Sequence, residues 1–206
     1  MNSKPGKICF YIIVSDTGLA PNPFHGFCTL ALCTPNHMRA CLTKGDWIVG
    51  CFRSGAPPRL VYVMQIDEVL SLAEYYGNSR YTCKKPSLNN WETKVGDNIY
   101  YLDNNGLLQQ DSNALFHHEM VSQTKDKRGN RTFIGRQFVY LGRNAISLPP
   151  TFYDCLPATQ GIKYLRSKDL LYEQFINWIN RLDNGYKGDP RDREIPIVNN
   201  CARGRR

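Results

Sequence analysis

Ile8-Cys9-Phe10-Tyr11-Ile12-Ile13-Val14 runs directly into Ser15-Asp16-Thr17-Gly18 and then into Leu19-Ala20-Pro21-Asn22-Pro23-Phe24. The first seven residues are apolar, mostly β-branched or aromatic, and show no polar alternation, which predicts a buried strand. In the segment that follows, two prolines fix φ and remove backbone donors. Regular helix or a central strand is therefore forbidden, and residues 15–24 are expected to form a stiff loop.

Working outward, residues 27–32 predict a second strand. Thr34-Pro35 then supplies an N-cap and a first-turn proline for a short helix through about Leu42. Gly45-Asp46 turns the chain into a strand over residues 47–52. Ser54-Gly55-Ala56-Pro57-Pro58 breaks that strand, and residues 59–69 return with Leu60, Tyr62, Met64 and Ile66 alternating against Val61, Val63 and Gln65. The two together predict a long hairpin. A short helix follows at residues 71–76. Gly96-Asp97 feeds Ile99-Tyr100-Tyr101, Asp103-Asn104-Asn105-Gly106 is a strong turn, and residues 133–141 predict one further strand. Leu171, Phe175, Trp178, Ile179 and Leu182 recur with helical spacing before Asn184-Gly185, predicting a C-terminal amphipathic helix whose apolar face packs on the sheet. The fold class is α+β, in a single domain over residues 1–186. Residues 187–206 are expected to be a basic, loosely ordered tail.

Composition narrows the function. The longest apolar run of this 206-residue chain is far shorter than the roughly 20 residues that span a bilayer, so no membrane association is expected and the location is expected to be cytoplasmic. Eight cysteines contain no C-x-x-C pair and four histidines no metal-binding spacing. No metal and no cofactor is expected. Phosphate loops and dinucleotide fingerprints are missing, which leaves ATP- and NAD-dependent chemistry without support. The net charge of +8 is concentrated in two places: Lys125, Lys127, Arg128, Arg131, Arg136 and Arg143 face Asp126 alone, and the rest of the surplus lies in residues 187–206. Such clusters suit a polyanion backbone, making those six cations candidate phosphate ligands; a solvated loop and tail is the plainer alternative.

Asp16-Thr17-Gly18 after an apolar strand imitates the active-site loop of aspartic proteases, but it occurs once and the proline-laced continuation is wrong for that fold. Asp16 either caps an Asx-turn or, with Thr17, Asn22 and Phe24, grips a base or small polar ligand. Asp46 and Asp97, each in a Gly-Asp box entering a strand, read first as turn residues. Trp47 packs in the core or provides a stacking plane, worth ~1–3 kcal/mol per base. One member of each doublet Tyr75-Tyr76 and Tyr100-Tyr101 is a further stacking candidate. His117-His118-Glu119, near Asp111, reads as a surface turn.

Asp16-x-Gly18-x-Ala20-Pro21-Asn22-Pro23-Phe24, Cys28-Thr29-Leu30-Ala31, Gly45-Asp46-Trp47, Leu60-Val61-Tyr62-x-Met64, Ala73-Glu74-Tyr75, Val95-Gly96-Asp97-x-Ile99-Tyr100, Phe138-x-Tyr140-x-Gly142 and Phe175-x-x-Trp178 stand here in an order that resembles the nucleotide modification associated domain 2 family of bacteria and phages. The resemblance implies association with systems that modify or handle altered nucleobases. The layout is also similar, more loosely, to the small PUA-like mixed β-barrels, including ASCH and EVE domains, which hold a base in an aromatic pocket. On this reading Asp16 and Asn22 read a base edge, Trp47 or Phe24 stacks, and Thr17, Tyr75, Asp97 and Tyr100 complete the pocket. The partner is nucleic acid or a nucleotide. An enzyme using Asp16 as general base or nucleophile, and a pure interaction module, are the alternatives.

Overall fold

A computed structural model of the protein describes residues 6–32, 41–53 and 57–193. The helix expected from Thr34 lies outside these residues except at its last two positions. In chain order the strands are β1 (Lys7–Ile12), β2 (Cys28–Leu30), β3 (Trp47–Phe52), β4 (Arg59–Gln65), β5 (Glu68–Leu70), β6 (Tyr100–Leu102), β7 (Leu108–Gln110), β8 (Thr132–Gly135), β9 (Phe138–Tyr140), β10 (Ile146–Ser147), β11 (Ile162–Arg166) and β12 (Gly185–Tyr186). The α-helices are α1 (Leu72–Gly77), α2 (Trp91–Lys94), α3 (Met120–Gly129) and α4 (Leu170–Ile179).

The main sheet has seven strands in the order β11-β1-β3-β4-β9-β12, with β10 also on β4. It is mixed: β1 runs parallel to β3 and β12 parallel to β9, and the other pairs are antiparallel. A second sheet has the order β2-β8-β5, and β6-β7 forms a separate hairpin.

The apolar run reads as it does because both sheet faces are covered. Ile8 and Phe10 of β1 point into one core with Trp47, Val49, Phe152, Phe175 and Ile179. Cys9 and Ile13 point into another with Ile48, Tyr62, Met64 and Tyr140. Phe175 of α4 meets Phe10 edge-on at 4.9 Å and Phe152 at 5.1 Å, an arrangement favoured by the ring quadrupoles. The β3-β4 register shifts between Gly50 and Cys51. A side chain at Gly50 would start 2.4 Å from the Tyr62 ring and 2.5 Å from Ile13, so the residue must be glycine.

The two sheets exchange chain at one point. Beyond Gln65 the chain leaves β4 for β5, and beyond Gly135 it leaves β8 for β9. Gln65 N–H donates to the Gln137 carbonyl (2.9 Å), Asp67 N–H to the Ile134 carbonyl (2.8 Å), and Arg136 N–H to Asp67 Oδ2 (2.6 Å). The continuous strand expected over residues 133–141 is therefore two short strands in different sheets. Asp67 ends the pairing by taking a backbone donor.

The expected PUA-like barrel is not found: the sheet is open, its path ending at β11 and β12. Closure would depend on long-range pairing of these edges, which local alternation and turn residues do not encode. The helix at Leu170–Ile179 is also not the last element, because β12 and residues 187–193 follow it. Those residues, expected to be loose, are tied down: Lys187 N–H donates to the Tyr140 carbonyl, Arg143 N–H to the Asp189 carbonyl, and Asp192 N–H to the Asp16 carbonyl, each at 2.8 Å. Among the described residues no helix is long and apolar enough to cross a membrane.

Truncating Phe175 to Ala should cost about 3–5 kcal/mol of unfolding free energy. Leu170, at the exposed start of the same helix, should tolerate the change within about 0.5 kcal/mol. Urea unfolding of the two variants checks the assignment of the helix's buried face.

Candidate functional site

The proline-laced loop feeds two separate buried networks. Asp16, fully buried, accepts from the Tyr140 hydroxyl (2.5 Å) and the Arg191 N–H (3.1 Å). Its own N–H donates to Asp192 Oδ2 (2.8 Å). The Arg191 guanidinium bonds both oxygens of Asp192 at 2.8 and 2.9 Å, reaches the Val14 carbonyl, and lies 3.9 Å above the Phe52 ring. Burial raises the Asp16 pKa, while Tyr140 and the Arg191 N–H hold it back. For Asp192, burial pushes up but Arg191 prevails, so its pKa falls. The carboxylate at the head of the loop thus grips the chain's own residues 191–192.

Asn22 sits in the other network. Its Oδ1 accepts from Lys84 Nζ (2.6 Å) and its Nδ2 donates to the Val95 carbonyl (2.8 Å). Lys84 is fully buried and spends its remaining donors on the carbonyls of Asn22 and Phe27, both at 2.9 Å. Burial lowers its pKa to about 8, against the pull of Asp97. Asp97 accepts from Thr29 Oγ1 (2.7 Å) and the Tyr75 hydroxyl (2.9 Å), and burial raises its pKa. Asp97 is therefore a buried tie between segments, whereas Asp46 is a turn cap that accepts from the N–H groups of Lys7 and Thr43.

Of the other base-reading candidates, Thr17 offers its carbonyl to Trp91 Nε1 (3.2 Å), and Phe24 is buried against Tyr186 with ring centres 5.4 Å apart. The Tyr100 hydroxyl donates to Asp126 Oδ2 (3.1 Å), where His117 Nδ1 also arrives at 2.5 Å. His117 is thus an oriented partner of a buried carboxylate that ties α3 to β6. Asp16 belongs to one buried network, Asn22, Tyr75 and Asp97 to another and Tyr100 to a third, and none of the five lines either of the two cavities beside the sheet crossing.

Two cavities lie beside the point where the sheets exchange chain. One, of about 520 Å³, is lined by Lys44, Asp67, Glu68, Arg80, Tyr81, Arg136 and Gln137. The other, of about 210 Å³, is lined by Trp47, Phe138, Leu182, Asn180, Asn184 and again Gln137. Sharing Gln137, they adjoin. The first is charged: Arg80 Nη2 alone donates to both oxygens of Glu68, at 2.9 and 3.0 Å, and the Tyr81 hydroxyl donates to the same carboxylate at 2.6 Å. Lys44 and Arg136 are exposed and are in no ion pair among the described residues. The second has an apolar, aromatic floor and carboxamide walls; Asn184 is fixed by accepting from the Phe138 N–H (2.7 Å). Sequence reasoning pointed to Trp47 and Arg136 here but missed Lys44, Arg80, Asn180 and Asn184.

The basic stretch is dispersed. Lys125, Lys127 and Arg128 lie on α3, and Lys127 Nζ stands 5.9 Å over the Tyr100 ring. Arg131 donates to the Leu42 carbonyl (3.3 Å) and Arg143 to that of Pro190 (3.5 Å).

Fold and site define a class: an α+β protein on an open mixed sheet, with two hollows that share Gln137 at a sheet junction, the larger of them of ligand size. The chain belongs to the nucleotide modification associated domain 2 family, whose model matches residues 6–196. That match embraces the strap of residues 187–193. No curated protein and no solved structure matches the chain.

Asp16→Asn places an amide donor opposite either the Tyr140 hydroxyl or the Arg191 N–H. Stability should fall by about 1–3 kcal/mol, and trypsin should cut after Arg191 or Arg193 faster than in the wild type. Peptide mapping over a digestion time course reads the effect; unchanged cleavage would refute the strap's dependence on Asp16. A second expectation concerns pH. Because Lys84 loses its proton near pH 8 when folded but near 10.4 when unfolded, this group alone makes folding more favourable from pH 8 to 10, against the buried thiols of Cys9, Cys28 and Cys51, whose raised pKa acts in the opposite sense. Lys84→Met should be less stable throughout, and in chemical denaturation curves its deficit relative to the wild type should widen from pH 8 to 10.

Proposed function

We propose that the protein binds a nucleotide across the two cavities that meet at Gln137, with the base beside Trp47 and the phosphate between Lys44 and Arg136. The observation that carries this reading is the adjacency of two chemically opposite hollows. Nucleotides are planar, apolar and amide-like at one end and anionic at the other, and the lining divides in the same sense. The larger cavity falls within the size range of small-molecule sites. The carboxamides of Gln137 and Asn180 can each present a donor beside an acceptor, the pattern that pairs with base edges. Membership of a family associated with nucleotide modification supports the ligand class.

Trp47 is only 6% exposed and also packs in the core, so its role is better tested through its neighbours. Calorimetric titration with nucleosides and nucleotides should give binding that depends on both cavities. In Lys44→Ala/Arg136→Ala, both exposed positions, nucleotide affinity should drop about tenfold or more while nucleoside binding is unchanged. Asn180→Ala should weaken both ligands. A double variant that binds nucleotides as the wild type does would overturn the reading.

A further inference from the structure

We infer that the ligand carries ribose and not deoxyribose, and that Asp67 selects it by accepting a hydrogen bond from the sugar 2′-hydroxyl. This rests on the nucleotide reading above and narrows it to ribonucleotides.

The course of a nucleotide through the two cavities fixes where its sugar lies. With the base beside Trp47 and the phosphate between Lys44 and Arg136, the sugar spans the boundary, and Gln137 is the residue common to both linings. Asp67 stands at that boundary. Its Oδ2 accepts at 2.6 Å from the N–H of Arg136, the residue preceding Gln137, and the Gln137 carbonyl accepts at 2.9 Å from the N–H of Gln65. The Asp67 N–H donates to the Ile134 carbonyl at 2.8 Å. Backbone and side chain are both anchored, so the carboxylate is fixed in the cavity wall that it helps to form.

The hydrogen-bond inventory assigns the role. Glu68, the other acid of the lining, takes two hydrogen bonds from Arg80 Nη2 and one from the Tyr81 hydroxyl. Asp67 Oδ1 has no donor among the described residues. A carboxylate oxygen accepts and does not donate, so a ligand group that lies against it must offer an O–H or N–H. The sugar hydroxyls of a nucleotide do so. The 3′-hydroxyl is common to both sugars, whereas the 2′-hydroxyl is peculiar to ribose and sits on the carbon next to the one that bears the base, on the side of the smaller cavity. A deoxyribose in the same place sets a C–H against the carboxylate and displaces its water without replacing the bond, a mismatch that discriminates strongly between otherwise identical ligands. In dinucleotide-binding folds an acidic residue takes the ribose 2′-hydroxyl by the same chemistry.

Calorimetric titration of the full chain tests the assignment. The probes are the ribonucleoside 5′-monophosphates with their 2′-deoxy and 2′-O-methyl counterparts. The best-bound ribonucleotide should exceed its 2′-deoxy form by about tenfold or more in affinity, and the methyl ether, which cannot donate, should bind no better than the deoxy form. Asp67→Asn keeps a carbonyl oxygen for the Arg136 N–H and removes a negative charge from the phosphate cavity. It should weaken the ribonucleotide and leave the deoxynucleotide unchanged or tighter, so that the ratio falls toward one. A merely structural role for Asp67 would weaken both sugars equally, and that result would overturn the inference. The wild-type ratios need no variant: deoxynucleotides bound as tightly as ribonucleotides would overturn the inference and leave the nucleotide site standing. Absence of binding by every probe would overturn both.

Discussion

The carbonyl of Gln65 lies where a side chain on residue 135 would begin, 2.3 Å from the position of a Cβ, and the architecture follows from that approach. Only glycine lets the backbones of β4 and β8 come so close. With that contact in place, two strands leave one sheet for the other at the same level, and the hydrogen bonds of Gln65, Asp67 and Arg136 bind the crossing. A crossing of two sheets leaves wedge-shaped space on either side that neither sheet can fill. The larger hollow is bordered by the residues that make the crossing, Asp67, Arg136 and Gln137, so the candidate site is a by-product of how the sheets join.

A second regularity concerns the buried acids. Asp16, Asp97 and Asp126 are each nearly or wholly inaccessible, and each takes a tyrosine hydroxyl from a distant part of the chain: Tyr140, Tyr75 and Tyr100. Hydroxyl and backbone donors satisfy the Asp16 and Asp97 carboxylates without a contacting cation, although burial still opposes their ionisation. Lys84 is the exception, a buried cation held by carbonyl and amide oxygens, with Asp97 supplying field and not contact. These polar ties join segments that the apolar cores alone would leave free to slide.

Much of the fold was legible in the sequence. The unbroken apolar run at Ile8 signalled a strand covered on both faces, the alternation after Pro58 signalled the β3-β4 hairpin, and the spacing from Leu171 located α4 on the sheet. What escaped was long-range. Nothing local distinguishes a strand over residues 133–141 from two strands that part at Arg136, because the break is imposed by Asp67 far away in sequence. The candidate site was legible in part: Trp47 and Arg136 carry chemistry that stands out in any context. Lys44 and Asn180 are ordinary surface residues until the fold sets them beside a hollow. Asp16 drew attention as an isolated carboxylate in a stiff loop, yet its partner Asp192 lies in a stretch whose composition resembles a disordered tail.

The strap has a consequence for how the molecule is made. Asp16 is synthesised 175 residues before Arg191 and cannot complete its hydrogen bonds until the strap has been made. β12 likewise can add to β9 only after the elements between them. Until then that carboxylate lacks its partners and the β9 edge is unfinished, so a product broken off between the two would offer both to quality control.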